Sequence, residues 1–161
     1  MKKKIISGGI LTVVVLAIVF FCILKLQPEN NRTVPLSGTL VSRTGERIDV
    51  RIVDTYRTRE LGLSFFKELP EHEGMLFLFD HPARNDFWMK DMRFPLDIVW
   101  LRKESPTNYR VVFRKQNLSP ATYPLSFGPE FTTEAVLEIN ALKSDDFGIT
   151  EGTLLELTSY K

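Results

Sequence analysis

Cysteine is almost absent: Cys22 is the single one in 161 residues. It lies in an apolar run near the N-terminus, so everything beyond it is expected to fold without a disulfide and offers no cysteine nucleophile. Histidine is nearly as scarce. His72 and His81 stand nine apart, with Glu71, Glu73 and Asp80 beside them. They match no H-E-x-x-H, cysteine-pair or acidic calcium-loop spacing. Neither a metal nor a cofactor is therefore expected. G-x-S-x-G and phosphate-cradling glycine loops are also missing. A triad assembled from distant positions stays open, because such residues converge only in space. An excess of either charge is lacking as well. The chain has 21 Lys plus Arg and 20 Asp plus Glu, a net +1, which excludes a strongly basic nucleic-acid binder. With 43% hydrophobic and 25% charged residues, it is neither a disordered chain nor a polytopic membrane protein.

What is present divides the chain unevenly. Met1-Lys2-Lys3-Lys4 is a basic tip, and the 20 residues from Ile5 to Leu24 carry no charge. Sixteen of those are apolar, Ser7, Gly8, Gly9 and Thr12 being the exceptions. At ~1.5 Å per residue such a helix reaches ~30 Å, the hydrocarbon thickness of a bilayer. A signal peptide would end in small residues, but Phe20-Phe21-Cys22-Ile23-Leu24-Lys25 follows here. The bulky Phe21 also disfavours lipidation of Cys22. We expect an uncleaved transmembrane anchor over 5–26, in contact with the lipid bilayer through Ile5-Leu26. The lysines before it place the N-terminus in the cytoplasm, and Lys25 can reach the interface. The expected organisation is a cytoplasmic tip (1–4), the anchor (5–26), a polar linker (27–34) and a periplasmic or extracellular domain (35–161).

With Lys2, Lys3, Lys4, Lys25 and Arg32 set aside, and Glu29 among the acids, 16 basic and 19 acidic residues remain in that domain, net −3. Bulk charge therefore does not draw it to anionic lipid or nucleic acid. Its size suffices for a hydrophobic core. Ile48, Val50 and Ile52 alternate with Asp49 and Arg51, as in a half-buried strand, which could pair with Gly38–Val41. Met75–Phe79 and Ile98–Leu101 are apolar on both faces, as in central strands. Tyr109–Phe113, Ala135–Ile139 and Leu154–Leu157 are further strands. A helix is expected over Thr55–Phe66, with Gly62 weakening it. A second, two-turn helix over Ala141–Phe147 would be capped by Asn140 and stopped by Gly148. Gln116–Phe131, with three prolines, reads as a long loop. Successive strands with few helices predict a mainly β fold, an antiparallel jelly-roll-like sandwich or barrel with one or two short helices.

Two stretches are distinctive. One is Val53-Asp54-Thr55-Tyr56-Arg57-Thr58-Arg59-Glu60-Leu61-Gly62-Leu63, followed by Glu73-Gly74-Met75-Leu76-Phe77. The other is Phe87-Trp88-Met89-Lys90-Asp91-Met92-Arg93-Phe94-Pro95-Leu96-Asp97-Ile98. With Val136–Ala141 and Phe147-Gly148-Ile149, they resemble the uncharacterised family called domain of unknown function 192, over nearly all of 48–157. The resemblance implies a mainly β, jelly-roll-like domain, often exported or membrane-tethered, and no common activity. Three positions depart from the family's pattern: Ser64 stands where it has Met, Asp91 where it has Asn, and Thr153 where Asp is usual.

Trp88-Met89-Lys90 reads either as a ligand platform, an aromatic face beside an ammonium, or as a core tryptophan next to a solvated lysine. Asp97, ahead of an apolar strand, suits the role of acceptor for turn amides. Arg59 could pair with Asp97 or Asp91, or hold an anion with its planar fork. The expected ligand-contacting residues are Trp88, Met89, Lys90, Arg59 and Asp97. The expected role is binding of a small molecule, glycan or peptide of the cell envelope. Two others stay open: a structural or assembly partner of an envelope protein, and an enzyme in which Asp97, Lys90 and Arg59 supply acid–base or charge-stabilising groups.

Overall fold

The computed structural model describes residues 34–159. The expected tip, the anchor and all of the linker except Val34 lie outside the described residues. Within them, β1 (Gly38–Ser42) and β2 (Arg47–Val53) form a hairpin, followed by the short helix α1 (Tyr56–Leu61) and β3 (Glu73–Ala83). Then come β4 (Phe87–Trp88), β5 (Leu96–Lys103), β6 (Asn108–Leu118), β7 (Ser126–Phe127), β8 (Thr133–Asn140), the helix α2 (Lys143–Asp146) and β9 (Leu154–Ser159). Seven strands close a barrel in the order β1-β2-β3-β8-β5-β6-β9, and β4 pairs with β7 in a separate two-stranded ribbon. Among the described residues no helix is long and apolar enough to cross a membrane.

The expected strands are all present, and the mainly β class with two short helices holds. One pairing departs from an all-antiparallel sheet: β2 runs parallel to β3. Parallel neighbours need a crossover of a dozen or more residues, and the α1 segment between Val53 and Glu73 provides it.

Two apolar clusters explain the strands that are apolar on both faces. Leu76, Leu137 and Val99 are in register across β3, β8 and β5 and belong to the cluster that fills the barrel with Leu40, Val50 and Tyr109. The alternate residues Phe77, Val136 and Trp100, also in register, belong to a second cluster with Leu63, Met89 and Leu96. That second layer lies on the outer face of β3, β8 and β5, covered by α1 and by the chain around β4.

Both helices are shorter than expected. α1 starts at a reciprocal cap: Thr55 Oγ1 accepts the Thr58 amide and Thr58 Oγ1 accepts the Thr55 amide, each at 3.2 Å. It ends at Gly62, whose φ of 48° breaks the helical path that a run to Phe66 would need. Turns take over, with the Phe66 amide donating to the Leu63 carbonyl at 2.9 Å, and they deliver Leu63 to the outer cluster. α2 is one turn and is not capped by Asn140, whose side chain donates instead to the Leu69 carbonyl at 2.8 Å. Its amides are met from β5 by Asp97, which accepts Ser144 N at 2.9 Å. The expected long loop holds the end of β6, a 3-10 turn over Pro120–Thr122 and β7.

Candidate functional site

A cavity of about 520 Å³ opens on the outer face of the barrel, between α1 with its following turns and the segment 84–92. Local sequence explains both walls. On the first, Arg59 in the last turn of α1 reaches back to the main chain. Its Nη1 donates to the Asp54 carbonyl at 2.6 Å and to the Leu78 carbonyl at 2.7 Å. Its guanidinium sits 5.1 Å from the centre of the Phe79 ring, a cation–π distance. Among the described residues no carboxylate pairs with this arginine; the pairings with Asp97 or Asp91 are not formed.

The second wall is anchored by Asn85. Its amide donates to the Thr133 carbonyl at 2.8 Å, and its own carbonyl accepts Trp100 Nε1 at 2.6 Å. Beside it, Asp86 packs on Gly128 so closely that a Cβ there would stand 2.2 Å from Asp86 Oδ1. The two-residue strand β4 then alternates its side chains. Phe87 turns inward, edge-on to Phe77 at 4.9 Å. Trp88 turns out and is 52% exposed. The Tyr123 ring lies 5.8 Å from Trp88, and Lys90 Nζ stands 5.6 Å from its ring centre. Asp91 has φ of 58°, a left-handed conformation that Asn and Asp tolerate best among residues with a side chain. The departure from the family's Asn is thus compatible with the turn.

The floor is Glu138 of β8. It is 5% exposed, in register with Met75 of β3 and Ile98 of β5. Burial among these apolar neighbours pushes its carboxyl up to about 8. Its carboxyl makes no hydrogen bond or ion pair within the described residues. Leu63 and Phe77 are the buried apolar residues that line the cavity with it.

Of the residues expected to meet a ligand, Trp88, Lys90 and Arg59 line this one cavity. Met89 is 1% exposed within the outer cluster, and Asp97 lies elsewhere, fully buried at the end of the barrel. Its Oδ1 accepts the amides of Asn117 at 2.8 Å and Leu142 at 2.9 Å; its Oδ2 accepts Ser144 N and, at 2.7 Å, Ser144 Oγ. All its acceptor directions are thereby engaged, the turn-organising role open to it in the sequence. Glu138 escaped the sequence reading. A lone carboxylate inside Val136-Leu137-Glu138-Ile139, a run otherwise apolar on both faces, was the signal for it. No group of three or more His, Cys, Asp or Glu side chains comes together to hold a metal among the described residues.

The structure therefore defines a closed β-barrel domain with a side cavity. Residues 39–157 match the family described as uncharacterised ACR, domain of unknown function 192, and the chain belongs to that family. No curated protein matches it. A protein of unknown function from Novosphingobium aromaticivorans is similar in structure, with a TM-score of 0.64 and 28% identity, over 76% of this chain and 83% of that one. A candidate transcription regulator from Sinorhizobium meliloti shares the fold with a TM-score of 0.65 and 22% identity, over 77% of this chain and 92% of that one.

Proposed function

We propose that the domain is a binding module and that its ligand, a small molecule or the side chain of a peptide, occupies the cavity between α1 and the segment 84–92. One observation carries this reading. Trp88 is held half-exposed at the mouth, with Tyr123 and Lys90 beside it, over a cavity of about 520 Å³, a size usual for small-ligand sites. An exposed tryptophan with a fixed polar neighbour offers a large apolar face at little entropic cost. Arg59 brings a second cation on the opposite wall, its Nη1 held by the Asp54 and Leu78 carbonyls. The barrel supplies rigidity, because the floor and the Phe77 wall belong to paired strands.

The module is tethered to the membrane by residues 5–26 and faces outward. The uncharged run from Ile5 to Leu24 behind a basic tip supports that arrangement.

A thermal-shift screen of the full-length chain against envelope metabolites, glycans and short peptides tests the binding reading. At least one class should raise the melting temperature in wild type and not in Trp88→Ala. No shift with any class would contradict it. Protease added to intact cells should degrade the domain, and complete protection would overturn the outward orientation.

A further inference from the structure

The floor of the cavity specifies the ligand's charge, an inference that rests on the binding reading above. We propose that the ligand carries a protonated amine on an apolar stem, and that the carboxylate of Glu138 receives the amine.

Four of the lining residues are buried: Leu63, Phe77, Asn85 and Glu138. Asn85 is engaged with Thr133 and Trp100. Glu138 is left as the polar group at depth with no partner among the described residues. Its carboxyl lines the cavity and no donor of the described residues meets it there, so a group on a ligand can serve as its partner.

The surroundings decide which partner fits. The half-buried lining includes Leu61, Phe79, Phe87 and Met92, with Arg59 and Ser64, whose Nη1 and Oγ are engaged by main-chain carbonyls, so an apolar stem suits the space next to the polar head. A polyhydroxylated ring would meet one carboxyl and leave its other hydroxyls against phenylalanine. An anion would meet Glu138 itself.

The titratable groups lining the cavity are Tyr56, Arg59 and Glu60 from α1, and Arg84, Asp86, Lys90 and Asp91 from the other wall. β3 and β5 bring only Met75 and Ile98 against Glu138. The cations already have company. Arg59 is on two carbonyls, Arg84 pairs with Glu130 at 3.1 Å, and Lys90 lies over Trp88. Glu60, Asp86 and Asp91 form no ion pair among the described residues, so the mouth does not repel a cation. When empty, the cavity keeps Glu138 largely protonated at neutral pH. An entering ammonium replaces that proton, which leaves to solvent, and the buried carboxylate becomes half of an ion pair.

The test uses three probes that share an indole-ethyl or indole-methyl stem and differ in the head: tryptamine, tryptophol and indole-3-acetate. Titration calorimetry of the full-length chain should show tryptamine binding at least tenfold more tightly than either of the others. Its affinity should rise about tenfold per pH unit below 8 and level off above it. At pH 7, titrations in buffers of different ionisation enthalpy should report the release of close to one proton. Glu138→Gln should weaken tryptamine at least tenfold and abolish the proton release. The proton count in wild type stands by itself should that variant fail to fold. Equal or better binding of tryptophol or indole-3-acetate, binding by none of the three, or tryptamine binding without proton release overturns the proposal. Tryptophol binding that Trp88→Ala abolishes would remove the amine and retain the cavity as a ligand site.

Discussion

Asp97 Oδ1 accepts the amide of Leu142 at 2.9 Å, and Leu142 is held at φ of 66° immediately before α2. The same oxygen accepts the amide of Asn117, at φ of 52°. One carboxylate from β5 thus stabilises two left-handed residues, one at the end of β6 and one before α2. Each such conformation is unfavourable for a residue with a side chain.

Asp97→Asn should therefore destabilise the fold by about 3 kcal/mol or more. The amide keeps the shape but turns one acceptor into a donor facing main-chain N–H groups. Urea denaturation of wild type and variant measures this. A loss below about 1 kcal/mol would show that the four hydrogen bonds are dispensable.

Glu138 predicts a pH dependence of stability. Its folded value of about 8 lies above the ordinary glutamate value of 4.5, so the folded state holds a proton that the unfolded state releases. The associated stability is fully present below 4.5 and is lost as pH rises toward 8, on the order of 5 kcal/mol in all. Glu138→Gln should flatten the melting temperature between pH 5 and pH 8, and its advantage over wild type should be largest at pH 8. An identical decline in both proteins would contradict this assignment.

Position 91 separates conformation from chemistry. Asp91→Asn should change stability by no more than about 0.5 kcal/mol, since both residues accept positive φ. Asp91→Val should cost about 1–2 kcal/mol, because a β-branched residue resists that region. Thermal or urea denaturation distinguishes the two. Equal effects would mean that the turn does not depend on the left-handed conformation.

Gly74 lies where β3 meets β8. A Cβ there would stand 2.9 Å from the Glu138 carbonyl oxygen and 3.0 Å from Ile139 Cγ2. Backbone cannot yield as a flexible side chain does, so Gly74→Ala should cost about 1–3 kcal/mol. A neutral outcome in denaturant would show that β8 moves freely at this point.

Much of the barrel was legible because its strands are marked by local patterns. Ile48, Val50 and Ile52 alternate, and Met75–Phe79 is apolar throughout. The parallel β2–β3 pair was not legible, since it depends on where the α1 crossover returns the chain. Helix lengths failed for a related reason. The apolar residues Leu63, Phe65 and Phe66 suggested a longer helix, but Gly62 ends it and turns bring Leu63 to the core. Asn140 looked like a helix cap because the true partner, Asp97, is 47 residues from the Ser144 amide it meets. At the site, Trp88, Lys90 and Arg59 stood out by residue type. Glu138 did not, because its meaning arises only when α1 closes over the outer face of β8.

The proposed ligand site is the cavity between α1 and the segment 84–92. The most direct measurement is a two-dimensional amide NMR titration of the full-length chain with the strongest compound from the thermal screen. The shifts should concentrate at Gly62, Leu63, Asn85, Trp88 and Lys90, with the Trp88 indole N–H among the largest. Shifts centred instead on the far side of the barrel, at β1, β6 and β9, would contradict the assignment of the site.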